Sequence, residues 1–117
     1  MLADKIFDLT NKRIFVAGHR GMVGSATMRA LASRGLNAIT AERNVLDLTR
    51  QIEVERFMVD QKPDVVVIAA AKVGGILANS TYPAEFLYNN LMIASNIMSS
   101  AAKLGVKKLI YLGSTCI

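Results

Sequence analysis

The chain has 117 residues, of which 52% are hydrophobic and 6% aromatic. That length supports one small domain with a core, but is too short for a dinucleotide-binding domain joined to a full substrate domain. The formal net charge is +5, yet the basic residues are scattered and form no run longer than Lys107–Lys108. The sequence therefore predicts a solvated basic surface with a mild preference for anions, and no nucleic-acid partner.

Metal, disulfide and membrane classes are also disfavoured. The single cysteine, Cys116, allows neither an internal disulfide nor a cysteine metal cluster, so no metal site is predicted. Residues 1–12 form a polar lead-in that carries Asp4 and Asp8, unlike a signal peptide. The longest apolar run, residues 65–71, is too short to span a bilayer, so we expect no membrane partner and a cytoplasmic location.

The apolar pattern alternates between strand and helix periods along the chain. Strands are predicted at residues 13–17, 37–41, 65–71 and 108–112. Helices are predicted at residues 22–34, from a cap at Asp47 or Thr49 to about residue 60, and at residues 83–104. The continuous β-branched run at 65–71 predicts a central parallel strand buried on both faces.

This order predicts an α/β fold with a doubly wound parallel sheet, right-handed crossovers and the strand order 3-2-1-4. The chain stops after the last strand without a covering helix. We therefore expect residues 13–117 to be a truncated Rossmann-like domain, the N-terminal part only, without its substrate domain.

Three glycines separate the first predicted strand from the first helix. Gly18 permits a tight turn, Gly21 lets the backbone approach phosphates, and Gly24 lets the helix pack close to the strand. Exposed N–H groups and the helix dipole then favour a dinucleotide pyrophosphate at this position. The predicted binding stretch comprises Gly18, His19, Arg20, Gly21, Met22, Val23 and Gly24.

Four segments together resemble the GDP-L-fucose synthase family of the extended short-chain dehydrogenase/reductase superfamily. They are GHRGMVG at 18–24, AAAKVGG at 69–75, NSTYPA at 79–84 and LGSTCI at 112–117. The resemblance implies an NADP(H)-binding part of an enzyme that acts on GDP-4-keto-6-deoxy-D-mannose. That enzyme epimerises C3 and C5 and then reduces C4 to give GDP-L-fucose, and it forms a homodimer at full length.

The resemblance also assigns catalytic residues. Ser114 matches the family serine and Cys116 the epimerising cysteine, although position alone leaves Ser114 equally consistent with a loop-stabilising residue and favours a small buried hydrophobe at Cys116. The family tyrosine, lysine and histidine have no match, since no tyrosine has a lysine four residues later and the one histidine is His19. We expect no turnover from these residues alone.

Arg20 and Arg43 lie where a guanidinium can meet the 2′-phosphate of NADP, while Glu42 lies near the position of an acid that holds the ribose of NAD. Two arginines against one carboxylate, together with the NADP preference of the family that the chain resembles, favour NADP. The alternative that Arg43 is only a solvent-exposed charge stays open. The resemblance adds a further set of cofactor-binding residues: Asn44, Val45, Ala69, Ala71, Leu112, Gly113, Ser114 and Thr115.

Three other functions stay open at this point. The chain could be a catalytically inactive NADP-binding fragment, or part of another sugar-nucleotide epimerase or dehydratase of the same superfamily. A non-catalytic sensor of the NADP redox state is the weakest, because residues 72–84 match a sugar-nucleotide loop.

Overall fold

The structure is a computed structural model that describes residues 8–69 and 83–112. Its strands are β1 (Ile14–Ala17), β2 (Ala38–Ile39), β3 (Val65–Ile68) and β4 (Lys108–Tyr111). Its helices are α1 (Met22–Ser33), α2 (Gln51–Gln61) and α3 (Pro83–Leu104). The predicted alternation of strands and helices is confirmed.

The four strands form one parallel sheet in the order β2-β1-β3-β4. The parallel, doubly wound architecture is confirmed, but the predicted order 3-2-1-4 is wrong, because β3 pairs with β1 from Ile14↔Val65 to Ala17↔Ile68. The reason lies in the strands themselves. β2 is two residues long and only half-buried, which suits an edge, whereas β3 is apolar and buried along its whole length, which suits an interior position.

Each face of the sheet has its own apolar cluster. On one face, α1 packs through Leu31 onto Ile14, Val16, Val65 and Val67. On the other face, α2 and α3 pack onto the alternate strand residues, with Val54, Met58, Ile93 and Ile97 among the buried side chains. Helices on both faces explain why β1 and β3 are buried along their whole length.

Several local predictions differ in detail. β2 covers 38–39 where residues 37–41 were predicted. Neither Asp47 nor Thr49 caps α2, because the N-cap residue is Arg50 and the Asp47 carboxylate instead accepts hydrogen bonds from the Thr49 backbone N–H at 3.0 Å and hydroxyl at 2.6 Å. The side chain of Asp47 thus forms a local turn with Thr49 in place of a helix cap.

The two outer strands of the described sheet are short or charged. β2 has two residues, and β4 begins at Lys108, directly after Lys107. Ile110 and Tyr111 on β4 are exposed. Within the described ranges, no helix combines the length and apolarity needed to cross a membrane.

Candidate functional site

The carboxyl ends of β1, β3 and β4 lie side by side. The Ala69 N–H donates to the Ala17 carbonyl at 2.9 Å, and the Leu112 N–H donates to the Ile68 carbonyl at 3.0 Å. From β1 the chain passes over the face that carries α1, whereas α2 and α3 cover the opposite face. The connections therefore diverge between β1 and β3, which creates the crevice where open α/β sheets bind ligands.

The glycine turn enters this crevice with three different glycine environments. Gly18 has φ +85°, a left-handed conformation that favours glycine. A Cβ on Gly24 would overlap the Gly18 carbonyl oxygen and lie 2.7 Å from its carbonyl carbon, so α1 can approach only without a side chain there. A Cβ on Gly21 would meet the same oxygen at 3.6 Å, an ordinary contact. The fold thus requires glycine at 18 and 24 but not at 21.

The amino end of α1 presents backbone donors at the same edge. Its N-cap residue is Gly21, no side chain forms a capping hydrogen bond with it, and no acidic residue lies in its first turn. The first N–H groups of a helix and its dipole favour an anion at such a position. The turn is therefore suited to phosphate.

Arg20 forms the dominant side-chain contact of the site. Its Nε donates to Glu42 Oε2 at 2.6 Å and its Nη2 donates to Glu42 Oε1 at 2.6 Å, a bidentate ion pair. His19 Nε2 lies 3.4 Å from the same Oε1. The carboxylate that follows β2 thereby joins the glycine turn to the second strand.

This ion pair changes the titration of Glu42. The hydrogen bonds from Arg20 lower the pKa of the Glu42 carboxyl below its ordinary value of 4.5, with a smaller contribution from His19. The same hydrogen bonds raise the pKa of Arg20. Glu42 is consequently charged at neutral pH, and the local positive charge of Arg20 is offset.

Residues 43–45 form a turn beside this pair. The Val45 and Leu46 N–H groups both donate to the Glu42 carbonyl at 2.9 Å, which fixes the turn. The side chains of Arg43, Asn44 and Val45 are exposed, and Val45 is 71% exposed despite being apolar. Arg43 makes no ion pair with another described residue.

The described part of the predicted site is gathered at one edge of the sheet. It comprises residues 18–24 and 43–45, Ala69 and Leu112. Ala71, Gly113, Ser114, Thr115 and Cys116 lie outside the described residues. Sequence reasoning identified Glu42 only as an acid near a ribose and missed its pairing with Arg20. The available signal was that β1 and β2 are neighbours, so residues just after each strand meet.

The family model described as "NAD dependent epimerase/dehydratase family" matches residues 14–117 of the chain. A GDP-L-fucose synthase from Sinorhizobium fredii is 57% identical over 109 residues, which cover 93% of this chain and 35% of that protein. The GDP-L-fucose synthase of Escherichia coli is 49% identical over 110 residues, covering 93% and 34%.

Among solved structures, the GDP-mannoheptose C4 reductase from Campylobacter jejuni with NADP bound superposes with a TM-score of 0.85 at 37% identity. The match covers 92% of this chain and 32% of that one. The chain thus spans about a third of the length of the proteins that it matches.

Proposed function

Since the chain belongs to the NAD dependent epimerase/dehydratase family, we propose that it is the NADP(H)-binding part of a GDP-L-fucose synthase. The proposed whole enzyme epimerises C3 and C5 of GDP-4-keto-6-deoxy-D-mannose and reduces C4. The identity to two proteins of that name supports the substrate class. The same proposal includes residues 13–117 as one truncated Rossmann-like domain after a lead-in at 1–12, and a cytoplasmic location without nucleic-acid or membrane partners.

The observation that carries the cofactor assignment is the contrast between Gly21 and Gly24. Internal packing accounts for glycine at 24, whereas at 21 a methyl group would meet only ordinary contacts. A ligand that approaches the backbone accounts for glycine at 21. The diphosphate of a dinucleotide fits there, because the uncapped amino end of α1 supplies N–H donors without a competing carboxylate in its first turn.

The 2′-phosphate of NADP fits the next part of the site. Arg43 is an exposed residue in the turn after β2, and Arg20 of the glycine turn contacts the preceding residue, Glu42. A guanidinium at either position can form a bidentate contact with the phosphate. Asn44 and the exposed apolar side chain of Val45 would border the adenine.

The remaining proposed roles concern the reacting end. Bound NADPH supplies the hydride for C4. Ala69, Ala71, Leu112, Gly113 and Thr115 would border the nicotinamide half of the cofactor. Ser114 would donate a hydrogen bond to the oxygen that develops on C4, and Cys116 as a thiolate would remove the protons beside the ketone.

The experiment is a binding titration of the 117-residue chain with NADP⁺ and NAD⁺ by calorimetry. We expect NADP⁺ to bind more tightly than NAD⁺, and Gly21→Val to abolish binding of both while the far-ultraviolet circular dichroism stays unchanged. A valine there blocks the diphosphate without entering the protein core. Equal affinity of wild type and Gly21→Val would contradict the placement of the diphosphate.

Turnover tests the catalytic half of the proposal. The three tyrosines have Phe86, Met92 and Thr115 four residues later, so the sequence contains no Tyr-x-x-x-Lys pair to act as general acid. We therefore expect the chain to leave NADPH absorbance unchanged in the presence of the keto-sugar nucleotide. Sustained loss of that absorbance would show that other residues complete the reaction.

One specific observation favours the neighbouring function of a GDP-sugar C4 reductase without epimerisation. The solved reductase with NADP bound covers nearly the whole chain at 37% identity. The discriminating residue is Cys116, to which the proposed epimerisation assigns the removal of the protons beside the ketone. Solvent deuterium incorporation at C3 and C5, measured in an enzyme that contains this chain and again with Cys116→Ser, separates the two functions.

The proposed homodimer uses an exposed face of α3. Its apolar residues recur at helical spacing and share one side: Leu87, Tyr88, Leu91 and Met98 are all exposed. An apolar stripe of this kind on a helix is suited to packing against another helix. The contact is tested by sedimentation of a full-length enzyme that contains this chain and of its Leu87→Lys, Leu91→Lys variant. If the variant kept the molecular mass of the wild type, this contact would be excluded.

A further inference from the structure

The carboxylate of Glu42 is hydrogen-bonded to the guanidinium of Arg20, the same group that the proposed function assigns to the 2′-phosphate of NADP. Both carboxylate oxygens accept hydrogen bonds from Arg20, each at 2.6 Å, and His19 Nε2 approaches one of them at 3.4 Å. The backbone of Glu42 is held as well, because its carbonyl accepts the N–H groups of Val45 and Leu46. The contact is therefore positioned from both the side chain and the backbone.

This pairing leaves Arg20 partly used. The guanidinium has five N–H donors, and the contact to Glu42 engages Nε and Nη2. A phosphate monoester, which carries between one and two negative charges at neutral pH, must either share the group with Glu42 or displace it. Sharing places the phosphate charge beside a carboxylate, and displacement breaks the bidentate ion pair, so both cases are unfavourable.

The same carboxylate has the opposite effect on a cofactor without the 2′-phosphate. In NAD the ribose carries a 2′-hydroxyl, a donor that an acidic residue just after the second strand can accept. Glu42 follows β2 by three residues and its side chain is 45% exposed, so the carboxylate is accessible. One residue thus opposes the phosphate and favours the hydroxyl.

The geometry points to Glu42 as a specificity-determining residue that narrows the preference for NADP over NAD by competing with the 2′-phosphate for Arg20. This inference rests on the proposed function, since it needs the dinucleotide at this edge. Arg43, which has no ion pair with another described residue, then makes the larger contribution to phosphate binding, and Arg20 becomes fully available only when Glu42 is neutral.

A double-mutant cycle tests this competition. The affinities of NADP⁺ and NAD⁺ are measured by calorimetry for wild type, Glu42→Gln, Arg20→Gln and the double variant. We expect Glu42→Gln to raise the ratio of NADP⁺ to NAD⁺ affinity about threefold to fivefold, the scale of an exposed ion pair. In the Arg20→Gln background the same substitution should raise the ratio by less, because the competed group is gone.

The matched control is Glu53→Gln, which neutralises another exposed glutamate that pairs with an arginine Nε, that of Arg50 at 2.9 Å. It should leave the ratio unchanged. An unchanged or lowered ratio in Glu42→Gln, with NADP⁺ still bound by wild type, overturns the inference alone. If Glu42→Gln raised the ratio of NADP⁺ to NAD⁺ affinity equally with and without Arg20, competition for Arg20 would be excluded as the cause. Absence of any dinucleotide binding by wild type overturns the proposed function and the inference with it.

Discussion

Two carboxylates at opposite ends of the sheet have similar partners but different anchoring. The Glu42 carboxylate, at the carboxyl end, is held by the side chains of Arg20 and His19. Asp64, just before β3 at the amino end, accepts the backbone N–H of Arg13 at 2.9 Å, with Lys107 Nζ at 3.6 Å. A carboxylate held by backbone ties strands together, whereas one held by side chains can exchange its partners for a ligand.

The backbone around Asp64 strengthens the first half of this contrast. The Asp64 N–H donates to the Arg13 carbonyl and the Lys107 N–H donates to the Asp64 carbonyl, both at 2.8 Å. The Arg13 side chain continues the network to the Gln61 carbonyl at 2.8 Å. Asp64 therefore joins the amino ends of three neighbouring strands.

The largest expected effect on stability comes from Gly24, the glycine that lets α1 pack close to β1 at the same end of the sheet as Glu42. Gly24→Ala places a methyl group against the Gly18 carbonyl, so α1 must move away from β1. We expect a loss of about 3 kcal/mol or more in the free energy of unfolding, the upper range for overpacking. Urea unfolding followed by circular dichroism measures it.

Gly21→Ala is the control for that substitution, because its methyl group meets the same oxygen at 3.6 Å and the backbone already has φ −71°. Its stability should change by less than about 1 kcal/mol. If Gly24→Ala were as stable as Gly21→Ala, the close approach of α1 would be excluded.

A smaller effect compares the two carboxylates directly. Asp64→Ala leaves the Arg13 N–H without its acceptor and breaks the link between strands, so its melting temperature should fall. Glu42→Ala removes contacts between exposed side chains and should change the melting temperature less. Thermal unfolding of the two variants side by side checks this order, and an equal fall would remove the distinction between anchored and exchangeable carboxylates.

The smallest effect is the acid dependence of the anchored carboxylate. The Arg13 N–H, and then Lys107, lower the pKa of Asp64 below its ordinary value of 3.8. Because the unfolded state binds the proton at higher pH than the folded state, Asp64 stabilises the fold fully above pH 3.8 and loses this effect as the pH falls through its lowered pKa.

The difference in unfolding free energy between wild type and Asp64→Ala should accordingly be constant near neutral pH and shrink below pH 3.8. Urea titrations at a series of pH values give this difference. A gap that persisted unchanged into strong acid would assign the stabilisation to packing instead of charge.

Much of the fold could be predicted because local signals agreed. The apolar run before Ala69 and the helix ends at Gly35 and Gly105 depend on neighbouring residues only, and both glycines have positive φ. The strand order failed because it was taken from a general pattern. The continuous apolar run at 65–71 had itself predicted a central strand, and β3 does lie inside the sheet, between β1 and β4.

The place of the candidate residues in the fold could be predicted from the sequence, but the contacts between them could not. The glycine turn and the turn at residues 43–45 were expected at one edge, and the structure brings them there. The bidentate contact between Arg20 and Glu42 joins residues 22 positions apart and depends on the neighbouring strands β1 and β2. No periodicity signal encodes such a pair. The expected pairing of β1 with β2 brings the residues after these two strands close together, but it does not specify which side chains meet.

The outer strands of the described sheet have a consequence for behaviour in concentrated solution. An exposed strand edge is a template for pairing with the same edge of another molecule, and β4 carries apolar side chains beside it. Lys108 is the first residue of β4, so two such edges approach with like charges, and β2 is too short to pair well. We therefore expect Lys108 to oppose edge-to-edge association of the chain, a task separate from any ligand.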